Sequence, residues 1–523
     1  MERSEAQAGG AIAREDGGVQ EFQRLKSNSI GLLGVLFMVV ATAAPISAMT
    51  ANVPIGVGFG SEIGTPATYL LVTIILTVFT VGYVTMARYI TATGAFYAYI
   101  SHGLGTVMGM ASGILAVMAY VVFEAAVAGL FAAFAQTTIG DQFGLNVPWP
   151  ILAVLLLALN AFFGHRAIDL TAKVLGFFLA TEIAILALMA GSVFLAGGGP
   201  DGIPLSPLNP ANAFLGAAPA IGFVFAFWSW VGFESTAIYG EESREPKQMI
   251  PRATYIAVIG LGLFYTWVSW AAIAGNGLAE SVKLAQSANP FALLFDPTQQ
   301  FVGGWAVVLY QWLLITGSFA VGLAFHNCAA RYLYALGREG LISRGLGTIH
   351  ATHGSPAVAS LTQTVIATVI VGLFWAFGQD PYLGLFSLMG VLGTVAILCV
   401  QGICSFAVIA YFRRNHPEAR HWWRTLVAPV LGGLAIFGVV ALLVQNLATA
   451  LGPAAETPFG RSIPYIVIGV FLIGVALALY LRARSPERYA LIGKVIYEDA
   501  TERPDIDLDG DGRGDHAVRP GRS

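Results

Sequence analysis

Long apolar runs separated by short polar stretches fill nearly the whole chain. The runs lie near 29–50, 65–87, 105–136, 149–163, 171–196 and 213–239, then near 253–275, 302–336, 357–377, 383–411, 427–448 and 463–482. Each is continuous in apolar residues. A stretch of about 20 such residues crosses the hydrocarbon core of a bilayer as a helix. Backbone in lipid must satisfy its own hydrogen bonds, which leaves helices or closed barrels. The strict apolar–polar alternation of a barrel strand is absent, so the pattern predicts an all-α membrane protein of about twelve transmembrane helices.

Composition points the same way. Of 523 residues, 56% are hydrophobic and 11% charged, with mean hydropathy +0.71. A water-facing domain carries about a quarter charged residues, so the solvent of this chain is mostly lipid. The net charge of −3 gives no reason to expect a nucleic-acid partner. The first 28 residues are polar and lack the short apolar core and cleavage site of a secretory signal, so the first span is expected to serve as an uncleaved insertion signal. Cys328, Cys399 and Cys404 all fall in apolar windows and read as small packing residues. No metal site or cofactor is predicted, and oligomeric state is left open.

With twelve spans, the connecting segments sort into two sets. One set holds all of the 27 Lys and Arg except Lys283 and Arg461. Cytoplasmic loops are enriched in Lys and Arg, so both termini are expected in the cytoplasm, with the plasma membrane as the location.

Two of the spans carry helix-breaking sequence. The first contains Ala44-Pro45-Ile46-Ser47-Ala48-Met49, with Pro54 and Gly56 beyond. A proline in a helix interior removes a donor and clashes with the preceding turn, costing about 3 kcal/mol, and it pushes the residue before it out of the α region. The sixth span reads Trp228-Ser229-Trp230-Val231-Gly232-Phe233-Glu234-Ser235-Thr236, a mid-span glycine followed by a carboxylate and two hydroxyls. Ionisable groups inside a span mark functional sites by default. A proline kink alone would account for the first feature. The two breaks occupy the first helix of each of two five-helix halves, however, and that correspondence points to a transporter's binding site.

These residues resemble a known family. Gly232-Phe233-Glu234-Ser235, with the run Glu241 to Ala253 containing Pro246, Lys247 and Pro251, is similar to the sixth helix and following loop of amino acid–polyamine–organocation (APC) permeases. Thr93 to Tyr99, leading to Gly103 and Gly105, resembles that superfamily's loop between helices two and three. Arg331 to Gly340, with the later Pro356, resembles the end of helix eight. The resemblance implies a leucine-transporter-like fold, with two inverted five-helix repeats plus two peripheral helices and alternating access around a midplane site. It implies that Trp228 closes over the substrate, that carbonyls near Val231 receive its amine, and that Glu234 either supports the break or takes part in gating. In many members a glycine-rich break in helix one binds the substrate carboxylate through N–H groups. Here the segment has no glycine and Pro45 has no N–H, which favours an amine lacking a carboxylate.

The candidate substrate-binding set is therefore Ala44, Pro45, Ile46, Ser47, Ala48, Met49, Trp228, Val231, Gly232, Glu234 and Glu124. Glu124 sits in Val121-Val122-Phe123-Glu124 of the third span. It could bind a cationic amine or pair with His326 of the eighth span. Glu182 stands where proton-coupled relatives often carry a lysine that replaces a sodium ion, so it is the candidate coupling residue, exchanging a proton or else tied to a neighbouring helix.

The expected organisation is a tail at 1–28, a first repeat at 29–196, a second at 213–411, peripheral helices at 427–482 and a tail at 483–523. The second tail holds Asp507, Asp509 and Asp511 with Gly512. It begins like a calcium loop, but Val518 falls where the closing carboxylate belongs, and an acidic tail is expected instead. The functional expectation is a secondary transporter for an amino acid or related amine, working as a proton symporter. Alternatives are a polyamine or amino-alcohol importer, or an exchanger. A membrane enzyme would need a clustered catalytic set, and the in-span acids stand singly, so no enzyme is expected. The tails are too short for a signalling domain.

Overall fold

The computed structural model describes residues 10–13, 19–22, 31–90, 96–165, 168–238, 243, 245–287, 289–350, 353–447 and 457–492. The acidic segment 505–518, residues 93–95 of the helix-two motif and most of residues 239–244 lie outside them. A short antiparallel hairpin pairs Gly10–Ala13 with Val19–Phe22. The remaining described elements are helical.

The first span is α1 (Leu32–Ala43) followed by α2, which covers 45–59. α2 comprises Pro45–Ser47, a π-helical stretch Ala48–Asn52, and Val53–Phe59. The next spans are α3 (Thr65–Ala87), α5 (Thr106–Phe143), α6 (Trp149–Gly164) and α7 (Ile168–Leu195), with a short α4 (Phe96–Leu104) between α3 and α5. The sixth span is split into α8 (Pro219–Trp228) and α9 (Ser235–Ile238). There follow α10 (Pro246–Asn276), two short helices α11 (Leu278–Ala285) and α12 (Ala292–Phe301), then α13 (Gly304–Arg338) and α14 (Ala357–Ala376). The last spans are α15 (Ser387–Arg414), α16 (Ala428–Gln445) and α17 (Pro458–Arg484). Among the described residues eight helices are long and apolar enough to cross a membrane, and three shorter apolar ones belong to spans four, five and six. With the broken first span, every predicted window is helical.

The two central helices are α5 and α15. In each, 83% of the apolar window is buried, against 22% in α17. α13 and α15 pack along α5, and α10 packs along α3. On the outside, α14 turns Leu361, Val365, Val369 and Leu373 outward at helical spacing, each more than half exposed. Apolar stripes of this size are tolerated only against lipid or a partner.

Two connections differ from expectation. The segment leading to Gly103, expected as a loop, is the helix α4, because Phe96, Tyr97, Tyr99 and Ile100 are all fully buried. Gly103 is required there, since a Cβ would stand 2.2 Å from the Ala407 carbonyl oxygen on α15. The segment between the spans near 253–275 and 302–336, left as a connection in the sequence pattern, folds into α11 and α12, with Leu293, Leu294 and Ala285 buried.

Candidate functional site

The break in the first span is centred one residue before the proline. Ala44 takes the left-handed conformation, φ 47° and ψ 72°. This costs a non-glycine residue roughly 1–2 kcal/mol. An alanine thus does what a glycine would do, and Pro45 then starts α2 without needing a donor. The freed groups find partners on other spans. The Ala43 carbonyl accepts from the Tyr265 hydroxyl of α10 at 3.1 Å. The Ile46 N–H points at Glu182 Oε2 of α7 at 3.4 Å, long for a hydrogen bond. Glu182 is buried, and its Oε1 lies 2.8 Å from where a Cβ on Gly317 of α13 would be. The carboxyl therefore occupies the contact between α2, α7 and α13.

The second break runs from Ser229 to Glu234. Gly232 has φ 111°, in a range that an L side chain rarely adopts. Glu234 lies in this turn and is completely buried. Its Oε2 accepts from the Gly232 N–H at 3.0 Å and its Oε1 from the Tyr120 hydroxyl of α5 at 2.7 Å. Its carbonyl accepts from the Tyr83 hydroxyl of α3 at 2.9 Å. Both carboxyl oxygens are committed to holding the turn against its neighbours.

Between the two breaks lies a cavity of about 30 Å³, room for a water or two. Ala44, Ser47, Ala48 and Asn52 line it from the first span, and Trp228 and Ser229 from the sixth. Val127 and Leu130 of α5, Phe325 of α13 and Phe386 before α15 close the walls. Trp228 is sandwiched between Phe386 (centroids 4.4 Å apart) and Phe123 (5.8 Å). Its indole lies directly on Gly390 of α15, so close that a Cβ there would sit 2.0 Å from the ring. A second, larger cavity of about 350 Å³ opens beyond it, with Tyr382 and Phe291 among its walls. Tyr382 stacks on Phe386 (5.5 Å) and donates its hydroxyl to the Ala51 carbonyl at 2.9 Å. The aromatic column Trp228–Phe386–Tyr382 thus separates the two spaces.

Of the candidates from the sequence, the structure brings Ala44, Ser47, Ala48 and Trp228 to this cavity. Pro45, Ile46 and Met49 are buried in the same segment away from it, and Val231 and Gly232 lie deeper in the second break. Glu124 belongs to a different neighbourhood. Its Oε1 accepts from Asn160 Nδ2 (3.1 Å) and its Oε2 from Gln363 Nε2 (2.6 Å). His326 Nδ1 lies 3.1 Å from it, and His326 Nε2 meets Ser360 Oγ at 2.7 Å. This network joins α5, α6, α13 and α14, and of the two roles open to Glu124 it shows the pairing with His326. Asn52, Ser229, Phe325 and Phe386 were not singled out in the sequence. Ser229 alone carried a signal, as a polar side chain inside an apolar window.

The sequence matches the amino acid permease family profile over residues 30–473. It is 27% identical over 362 residues to an uncharacterized transporter of Rhizobium meliloti, covering 67% of this chain and 74% of that one. It is 23% identical to a branched-chain amino acid permease of Lactococcus lactis, covering 60% and 69%. It is 20% identical to a low-affinity putrescine importer of Escherichia coli, covering 66% and 74%.

Proposed function

The chain belongs to the amino acid permease family, a multi-pass membrane transporter of a small molecule, and from that premise we propose that it imports an amino acid or related amine by proton-coupled alternating access. The plasma membrane is its location and both termini face the cytoplasm, in keeping with the Lys and Arg distribution. The observation that carries the reading is the cavity lying between the helix breaks of spans one and six; in this reading the two breaks hold equivalent places in two five-helix halves, 29–196 and 213–411. The halves move about this point, with 427–482 peripheral, so that the cavity opens first to one side and then to the other.

Glu182 is the coupling group in this reading. No cationic side chain among the described residues pairs with it, and one long N–H contact from the broken helix is poor compensation for an ionised carboxylate inside a membrane. A proton taken up there changes how Glu182 holds the α2 start against α7 and α13, which links the proton to the break that moves. The relatives' printed substrates, branched-chain amino acids in one case and putrescine in another, support both amino acids and amines as cargo.

The test is uptake of labelled leucine and putrescine into proteoliposomes with and without an inward proton gradient. The gradient is expected to drive accumulation, and Glu182→Gln to abolish its effect while leaving binding measurable. Unchanged gradient dependence in Glu182→Gln would remove Glu182 from the coupling role.

A further inference from the structure

Two buried polar atoms at the central cavity have no hydrogen-bond partner, Ser47 Oγ and Asn52 Oδ1. Both residues are 5% exposed. The hydrogen bonds of its neighbours favour one orientation of the Asn52 amide. Asn52 Nδ2 donates to Ser229 Oγ at 3.0 Å, Ser229 Oγ donates to the Phe225 carbonyl at 3.0 Å, and the Tyr69 hydroxyl lies 3.0 Å from the same Ser229 Oγ. A serine hydroxyl has one proton and two acceptor positions. With its proton on Phe225, it accepts from both Tyr69 and Asn52, and all three positions are filled. Turning the amide over would set its carbonyl oxygen against Ser229 Oγ and draw the Ser229 proton away from the Phe225 carbonyl. Asn52 therefore keeps its amide oxygen unpartnered at the cavity.

We infer that Asn52 Oδ1 receives the substrate's ammonium group, and that the site selects an α-amino acid with an uncharged apolar side chain over a diamine; this rests on the transport reading above. Ser47 Oγ sits on the same helix and can donate to a carboxylate, so the two unpartnered atoms offer an acceptor and a donor to the two ends of a zwitterion. The rest of the lining is Ala43, Ala44, Ala48, Val127, Leu130 and Val321 with the rings of Trp228, Phe325 and Phe386. Among the described residues no ionisable side chain lines the cavity. A second ammonium would be enclosed there without a counter-charge, an arrangement that is strongly disfavoured. Glu182, Glu234 and Glu124 supply none, because each is engaged at a helix junction outside the lining.

The inference is tested by equilibrium binding of labelled leucine and putrescine to purified full-length protein. The wild type is expected to bind leucine and not putrescine. Asn52→Ala is expected to weaken leucine binding more than tenfold. Asn52→Asp places a carboxylate in the cavity and is expected to gain putrescine binding, an outcome that misfolding does not mimic. Leucine affinity unchanged in Asn52→Ala, or a folded Asn52→Asp with no putrescine binding, would overturn the role of Asn52 while leaving the transport reading intact. Putrescine binding by the wild type would overturn the substrate class. A wild type that binds and transports neither compound, nor any other amino acid, would take the transport reading down with it.

Discussion

Gly390 of α15 seats the indole of Trp228, and a single methyl group there tests whether that ring shapes the substrate space. A Cβ on Gly390 would stand 2.0 Å from Cζ3 and 2.1 Å from Cη2 of Trp228. Ordinary carbon contacts begin at about 3.5 Å, so ring or helix must give by about 1.5 Å. The ring is hemmed in by Phe386, Phe225 and Phe123 at centroid distances of 4.4, 5.6 and 5.8 Å. Its open side is the cavity of about 30 Å³, which a shift of that size fills. Overpacking of this kind costs about 1–3 kcal/mol. If the substrate has to push the ring back, that cost appears as weaker binding, and each 1.4 kcal/mol is about tenfold. Gly390→Ala is therefore expected to raise KM for uptake roughly tenfold or more, with the protein still folded. Gly372→Ala in α14 is the control. It has nothing within 4 Å of the added methyl and gains helix propensity, so it should transport like the wild type. Initial uptake rates against substrate concentration in proteoliposomes decide it. A wild-type KM for Gly390→Ala, or equal impairment by Gly372→Ala, would refute the reasoning.

Glu124→Gln is expected to destabilise the protein by about 1–3 kcal/mol, because a new amide must face the donors of Asn160 and Gln363. Substrate affinity should be untouched, since Glu124 does not line the cavity; thermal unfolding in detergent beside a binding isotherm separates the two. Tyr382→Phe removes the hydrogen bond to the Ala51 carbonyl, worth about 1 kcal/mol net. It is expected to loosen the closed arrangement of the aromatic column and raise KM about fivefold without loss of folded protein, and an unchanged KM would show that the hydroxyl is no latch.

The spans were readable in the sequence because each is a continuous apolar window, and lipid gives such a window one way to satisfy its backbone. The kind of break was harder. Pro45 marked the place, yet the residue that bends is Ala44 in a conformation reserved mostly for glycine, and the restriction on residues before proline was the only hint. α4 and the helices between α10 and α13 were hidden because short buried helices at the ends of a bundle have no period long enough to register. Within the site, carboxylates drew attention because charge in a membrane is rare. His326 was open as a partner of Glu124 because it too is an ionisable group inside a span, but Tyr120 for Glu234 and Asn160 and Gln363 for Glu124 come from other spans, and no spacing along the chain predicts them. Phe386 shapes the cavity as one aromatic among 33 phenylalanines, and only tertiary contact distinguishes it.

The placement of charge carries a consequence for the transport cycle. Glu182, Glu234 and Glu124 all stand where helices meet, and none stands in the lining of the cavity. A carboxylate in the lining would favour a cationic substrate, but it would also be stranded whenever the site closed without one, at a cost of several kcal/mol. Such a site returns readily only when loaded, which ties a carrier to exchange. A lining of alanines, aliphatic side chains, rings, one amide and two hydroxyls closes around a water or two without isolating a charge. Its unpartnered atoms, Ser47 Oγ and Asn52 Oδ1, can each be met by such a water. The neutral lining therefore lets the empty site return, so net uptake into substrate-free vesicles is expected over obligatory exchange.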